Sequence, residues 1–228
     1  MAFERNFLVS VLKLTKGGPV AKELVAKDAE IPTQTANQLL KKFCEAGLIQ
    51  WRHKTIEASS NQRVKTAIHA IKSGADFERV CRFLEWNEFE NLAAAALEAN
   101  NFAVRRCFRF KWTQRRWEID VLGCREPIIA CVDCKHWGHG WRKSAIMKAV
   151  EAQALRTKVL AEALPSLQEE VGLAHWREAT LIPIVLSLVP GPLKFYNNVP
   201  IVPILQLQNF LNELQAHVMS LTHFFARF

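Results

Sequence analysis

With 228 residues, 50% of them hydrophobic, the chain has room for one large or two small domains with cores of their own. Its net charge of +8 and pI near 9.3 point to an anionic partner, nucleic acid before membrane. The longest apolar run, Leu181 to Val189, is too short to span a bilayer and is interrupted by Pro183, so no membrane partner is expected. Six cysteines without disulfide-like spacing fit a reducing cytoplasm.

Apolar positions at Phe7, Leu8, Val11, Leu12 and Leu14 predict a helix over 6–16, stopped by Gly17-Gly18-Pro19. Residues 20–26 repeat the helical pattern through Val20, Ala21, Leu24 and Val25. Ile31-Pro32 then opens a third helix that runs to about Glu45. Its apolar stripe is Ala36, Leu39, Leu40 and Phe43, which leaves Asn37, Gln38, Lys41 and Lys42 on the other face, and Gly47 supplies a stop. Residues 48–56 read as a short β-wing with a basic tip. Three helices and a wing resemble a winged helix-turn-helix domain, placed at residues 1–73, and the run A-N-Q-L-L-K-K-F-C-E-A-G-L-I looks like its recognition helix and turn. The resemblance implies DNA contacts from Thr33, Gln34, Thr35, Asn37, Gln38 and Lys41 in a major groove, with Arg52 and Lys54 along the backbone. The alternative is a winged helix used for protein contacts or dimerisation.

An amphipathic helix over 61–71 leads to Ser73-Gly74, the expected joint between domains. Asp76 caps a short helix over 77–84, and a second helix over 88–99 turns Phe89, Leu92, Ala93, Ala96 and Leu97 inward beside Glu90. A strand over 102–110 carries Arg105, Arg106 and Arg109. Two β-rich runs follow, Arg116 to Leu122 and Pro127 to Lys135, and Gly123-Cys124-Arg125-Glu126 reads as the turn of a hairpin. Glu118, Asp120 and Leu122 share one face of its first strand, as Asp133 and Lys135 do on the second. Acids on otherwise buried strands are costly unless a cation, a metal ion or a hydration site compensates them. After a Gly-punctuated loop at 136–143, a helix over 144–163 sets Ile146, Val150, Gln153 and Thr157 on one face, so that Gln153 points at the sheet. Strands over 179–189 and 199–204 and a helix over 206–221 complete the chain. The apolar tail 224–228 is expected to dock on a second subunit.

A helix with Glu90, a strand, a strand with Asp120, a strand with Asp133-Cys134-Lys135 and a helix with Gln153 resemble, in that order, the PD-(D/E)xK nuclease superfamily. The closest look is that of archaeal Holliday-junction resolvases and Mrr-type restriction endonucleases. The resemblance covers 86–214 and implies an α/β, restriction-endonuclease-like mixed sheet flanked by helices at 74–228, behind the winged helix. Two departures stand out: Ile119 precedes Asp120 where the family has Pro, and Asp133 stands where these subfamilies usually carry Glu. The resemblance implies a metal-dependent DNA endonuclease of repair, recombination or restriction. Mg²⁺ or Mn²⁺ would be held by Asp120, Asp133 and the Cys134 carbonyl with help from Glu90, Lys135 would orient the attacking water, and Gln153 would position substrate. The rival is a catalytically silent nuclease fold serving as a DNA-binding regulator. Cys131, Cys134, His136 and His139 form a zinc-like string, but cysteines three apart on a strand point to opposite faces and the intervening loop is too short for a zinc finger. His136 and His139 with Trp137 and Trp141 are expected to form a loop over the groove. A homodimer is expected, because symmetric double cuts need two sites.

Overall fold

The computed structural model describes residues 2–135 and 142–228, so the expected His136–Trp141 loop and the histidines of the zinc-like string lie outside the described residues. The chain divides into two compact units, Met1–Asn91 and Leu92–Phe228.

The first unit begins with α1 (Ala2–Leu14), β1 (Val20–Ala21), α2 (Lys22–Asp28) and α3 (Thr33–Glu45). It continues through β2 (Gln50–Arg52), β3 (Thr55–Glu57), α4 (Ser60–Lys72), α5 (Phe77–Cys81) and the start of α6 (Trp86–Glu98). The apolar stripes form as their spacing requires: Phe7, Leu8, Val11 and Leu12 of α1 are fully buried, with Ala36, Leu40 and Phe43 of α3. Local capping sets two helix starts. Ser59 and Gln62 form a reciprocal capping box on α4, and Asp76 accepts from the Arg79 N–H at 2.7 Å. Val20 and Ala21 depart from the expected helix and pair with Ile56 and Thr55, giving an antiparallel sheet in the order β1-β3-β2. A β-branched residue directly after Gly18 (φ 119) and Pro19 enters extended backbone more readily than a first helical turn.

Residues 74–91, assigned on sequence grounds to the second domain, fall in the first unit. The tie is Arg63, 4% exposed, whose guanidinium donates to Glu88 Oε1 at 2.7 Å, Leu12 O at 2.8 Å, Thr15 Oγ1 at 2.8 Å and Phe83 O at 2.6 Å. Glu88, 1% exposed, also accepts the Glu85 N–H at 2.8 Å. A second tie joins α1 to α2, where Asp28 accepts from Ser10 at 2.8 Å and from Lys13. Burial pushes the Asp28 carboxyl up, but the Lys13 and Ser10 hydrogen bonds together pull it below its ordinary 3.8. Its stabilising contribution is therefore complete above pH 3.8 and is lost as pH falls through the lower folded value. Asp28→Asn is expected to flatten the fall of Tm with pH in that acid window, which a thermal-melt series over pH will check.

The second unit comprises the rest of α6, β4 (Ala103–Trp112), β5 (Arg115–Arg125), β6 (Ile128–Lys135) and α7 (Lys143–Val171). Then come β7 (Glu178–Ser187), β8 (Phe195–Tyr196), β9 (Val199–Pro203), α8 (Leu207–His217) and β10 (Phe224–Arg227). The fold is mixed α/β: one seven-stranded sheet in the order β4-β5-β6-β7-β9-β8, with β10 also on β7, flanked by helices. Strands β4 to β6 are antiparallel, while β6, β7 and β9 run parallel. The central strands β6 and β7 are buried on both faces, as near-continuous apolar runs in a covered parallel sheet must be.

Three expectations are corrected here. Gly123, Cys124 and Arg125 belong to β5, and the hairpin turns at Glu126 and Pro127. Gly123 marks a close approach: a Cβ there would meet Leu97 Cδ2 at 3.0 Å and Phe102 Cδ1 at 3.3 Å, so those side chains would have to give by a few tenths of an ångström. Helix α7 runs through Pro165 to a left-handed stop at Gly172, because Leu164, Leu167 and Val171 continue its packing on the sheet. The tail does not wait for a partner. Phe224 to Arg227 pair antiparallel with Leu181 to Glu178, beside the half of β7 that β9 does not reach. Among the described residues no helix is long and apolar enough to cross a membrane.

Candidate active site

Strands β5 and β6 pair up to Val121 opposite Val132, and the same register carried one residue further sets Asp120 opposite Asp133 on one face. There the carboxylate replaces the ladder: Asp120 Oδ2 accepts the Cys134 N–H at 2.8 Å. Asp133 is 2% exposed, and a carboxylate so deeply placed must be paired. Its Oδ1 accepts from Lys135 Nζ at 2.9 Å and from Arg156 Nη1 at 2.6 Å. Its Oδ2 lies 2.7 Å from Lys135 Nζ, an ion-pair distance without hydrogen-bond geometry.

Gln153 is wholly buried and points at the sheet, as its spacing requires. Its Nε2 donates to the Cys131 carbonyl at 2.7 Å and its Oε1 accepts from Arg156 Nη1 at 3.3 Å. Asp120, Asp133, Lys135 and Gln153 are thus gathered where β5, β6 and α7 meet. Arg156 is the member that sequence reasoning missed. Its signal was the i, i+3 spacing from an inward glutamine, which sets two α7 side chains over the same patch of sheet. Glu90 sits half-buried on α6 within the first unit and accepts from the Trp86 indole N–H.

Cys124, Cys131 and Cys134 behave as core residues. Cys131 and Cys134 are fully buried, and burial pushes the Cys131 thiol far up and that of Cys124 up to about 12, so both remain protonated thiols at neutral pH. Among the described residues no three His, Cys, Asp or Glu side chains gather as an ion cage. Asp120 and Asp133 therefore stand as a set of two hard carboxylates.

Two basic surfaces are present, one in each unit. On α3, Thr33, Gln34, Gln38 and Lys41 are exposed while Thr35 and Asn37 are half-buried. Asn37 accepts from Lys22 Nζ at 3.3 Å, and Lys22 in turn lies 5.6 Å over the Trp51 ring. Arg52 and Lys54 are exposed at the wing, with Arg52 3.5 Å from Glu57. The other surface is the β4–β5 hairpin, which carries Arg105, Arg106, Arg109, Lys111, Arg115 and Arg116. Glu118 is paired with Arg109 at 2.8 Å, and Arg115 lies 4.2 Å over the Trp117 ring.

Fold and site define an α/β protein with two facing carboxylates and two cations at one end of a mixed sheet. No family model matches the chain. It is 29% identical over 136 residues to a protein of Archaeoglobus fulgidus described only as "Uncharacterized protein", a match that spans 59% of this chain and 95% of that one. A solved structure, "Crystal structure of protein VC1899 from Vibrio cholerae", aligns over 96% of this chain at 13% identity and a TM-score of 0.39. This chain spans 53% of that one, about half its length.

Proposed function

We propose that the protein is a divalent-metal-dependent deoxyribonuclease, with a restriction-endonuclease-like second unit and a winged-helix first unit that positions DNA. The observation that carries this reading is Asp120 bonded to the Cys134 N–H between Asp133 and Lys135, with Lys135 bonded in turn to Asp133. Two carboxylates from adjacent strands suit Mg²⁺ or Mn²⁺, which keep several waters and need no full protein cage. The Asp133 carboxylate, 2% exposed, is the buried anionic group that such an ion would neutralise. An extended residue sends its N–H and C=O toward the same neighbouring strand, so the Cys134 carbonyl is the natural third ligand beside Asp120. A divalent ion held there supplies the Lewis acidity that phosphodiester hydrolysis requires. Lys135 orients the attacking water and faces the phosphate, while Gln153 fixes the Cys131 backbone and the Arg156 head.

A second reading draws on a specific feature: Asp133 is already neutralised by Lys135 and Arg156, as in a silent nuclease fold that only binds DNA. Linear, flapped, four-way and methylated DNA, each incubated with Mg²⁺, Mn²⁺ or EDTA, separate the two. Cleavage that disappears in EDTA supports the nuclease, and DNA binding without cleavage on every substrate overturns it.

DNA positioning by α3 has its own test. Lys41→Ala is expected to weaken binding about equally across sequences and to reduce the slope of log K against log salt by about 1, read by fluorescence anisotropy.

A further inference from the structure

We propose that Arg156 is a placeholder for the divalent cation: in the ion-free protein its guanidinium holds the Asp133 oxygen that the ion needs, and ion binding expels it. The inference rests on the metal-site reading above. Lys135 and Arg156 both neutralise Asp133, yet they are held differently. Lys135 stands two residues away and bonds the carboxylate from the same strand, its side chain 23% exposed. Arg156 reaches in from α7 with its side chain 30% exposed against 2% for Asp133, so its head can withdraw to solvent while its stem stays packed.

The competition is for a particular atom. Arg156 Nη1 sits 2.6 Å from Asp133 Oδ1, which is also the oxygen that Lys135 bonds at 2.9 Å. A guanidinium and a divalent ion drawing on the same oxygen repel one another at close range inside a poorly screened site. Gln153 makes the exchange local. Locked by its 2.7 Å bond to the Cys131 carbonyl, it stays in place when the 3.3 Å bond from Arg156 Nη1 to its Oε1 breaks. The arrangement keeps Asp133 compensated both with and without the ion. It also links the ion to the polyanion, because a phosphate gives the expelled guanidinium a new partner.

Mn²⁺ titration by calorimetry, without DNA, tests this on wild type, Arg156→Gln and Asp133→Asn, with Tm recorded alongside. Arg156→Gln is expected to bind Mn²⁺ roughly ten-fold tighter than wild type, because a charge-assisted hydrogen bond no longer has to break. Its Tm should be lower than wild type without the ion and recover when Mn²⁺ is added. Asp133→Asn should not bind. Should Arg156→Gln fail to fold, Arg156→Met keeps the aliphatic stem packed and carries the same expectation. Equal or weaker Mn²⁺ binding by the Arg156 variant overturns the placeholder role and leaves the metal site standing. Absence of Mn²⁺ binding in every variant, wild type included, overturns the metal site and the placeholder with it.

Discussion

Asp120→Asn is expected to reduce Mg²⁺-dependent DNA cleavage roughly a thousand-fold, the loss of about 4 kcal/mol of transition-state stabilisation, with fold and DNA affinity preserved. Asparagine keeps an oxygen for the Cys134 N–H that Asp120 Oδ2 accepts at 2.8 Å, so the end of the β5–β6 ladder survives while the anionic ligand is lost. Asp120 is half-buried, whereas Asp133 is 2% exposed and pairs with both Lys135 and Arg156. Removing Asp133 would leave two cations facing each other at a buried position, so its variants mix lost stability with lost chemistry. The Asp120 variant isolates the chemistry. Single-turnover cleavage, with circular dichroism and anisotropy as controls, is the measurement. Cleavage at the wild-type rate would remove Asp120 from the site.

Arg63→Ala should lower the stability of the Met1–Asn91 unit by about 3–5 kcal/mol, the range for breaking a buried ion pair from one side. Four acceptors lose their donor: the Glu88 carboxylate, the Leu12 and Phe83 carbonyls and the Thr15 hydroxyl. Glu88 is left without its cation at 1% exposure. The double variant Arg63→Met with Glu88→Leu removes both charges and should recover part of the loss, with the two carbonyls still unpaired. Urea unfolding of both proteins resolves the difference, and a single-variant loss below about 1 kcal/mol, the scale of an exposed pair, would contradict the buried network.

Where the chain alternates or repeats cleanly, its elements were legible. Period two across Glu118, Asp120, Leu122 and across Asp133, Lys135 located the hairpin and the face its acids share, because strand geometry leaves side chains no other arrangement. The inward glutamine at 153 followed from helical spacing in the same way. Gly123 was misread as a turn because glycine serves both positive φ and close approach, and only Leu97 and Phe102 reveal which is at work. The tail read as a docking surface because an apolar run looks the same whether its partner is another subunit or β7 of its own sheet.

By itself the sequence determined the helices and strands whose spacing is regular, and it determined that two acids and a lysine share a face of one hairpin, since both follow from local periodicity. Tertiary structure alone decided three further matters. Arg63 and Glu88, 25 residues apart, assign residues 74–91 to the first unit. Phe224 to Arg227 close on β7. Arg156, 23 residues beyond Asp133, is brought to that carboxylate. These are pairings between residues far apart along the chain, and no periodicity encodes them: a buried charge binds whichever opposite charge the packed elements deliver to it.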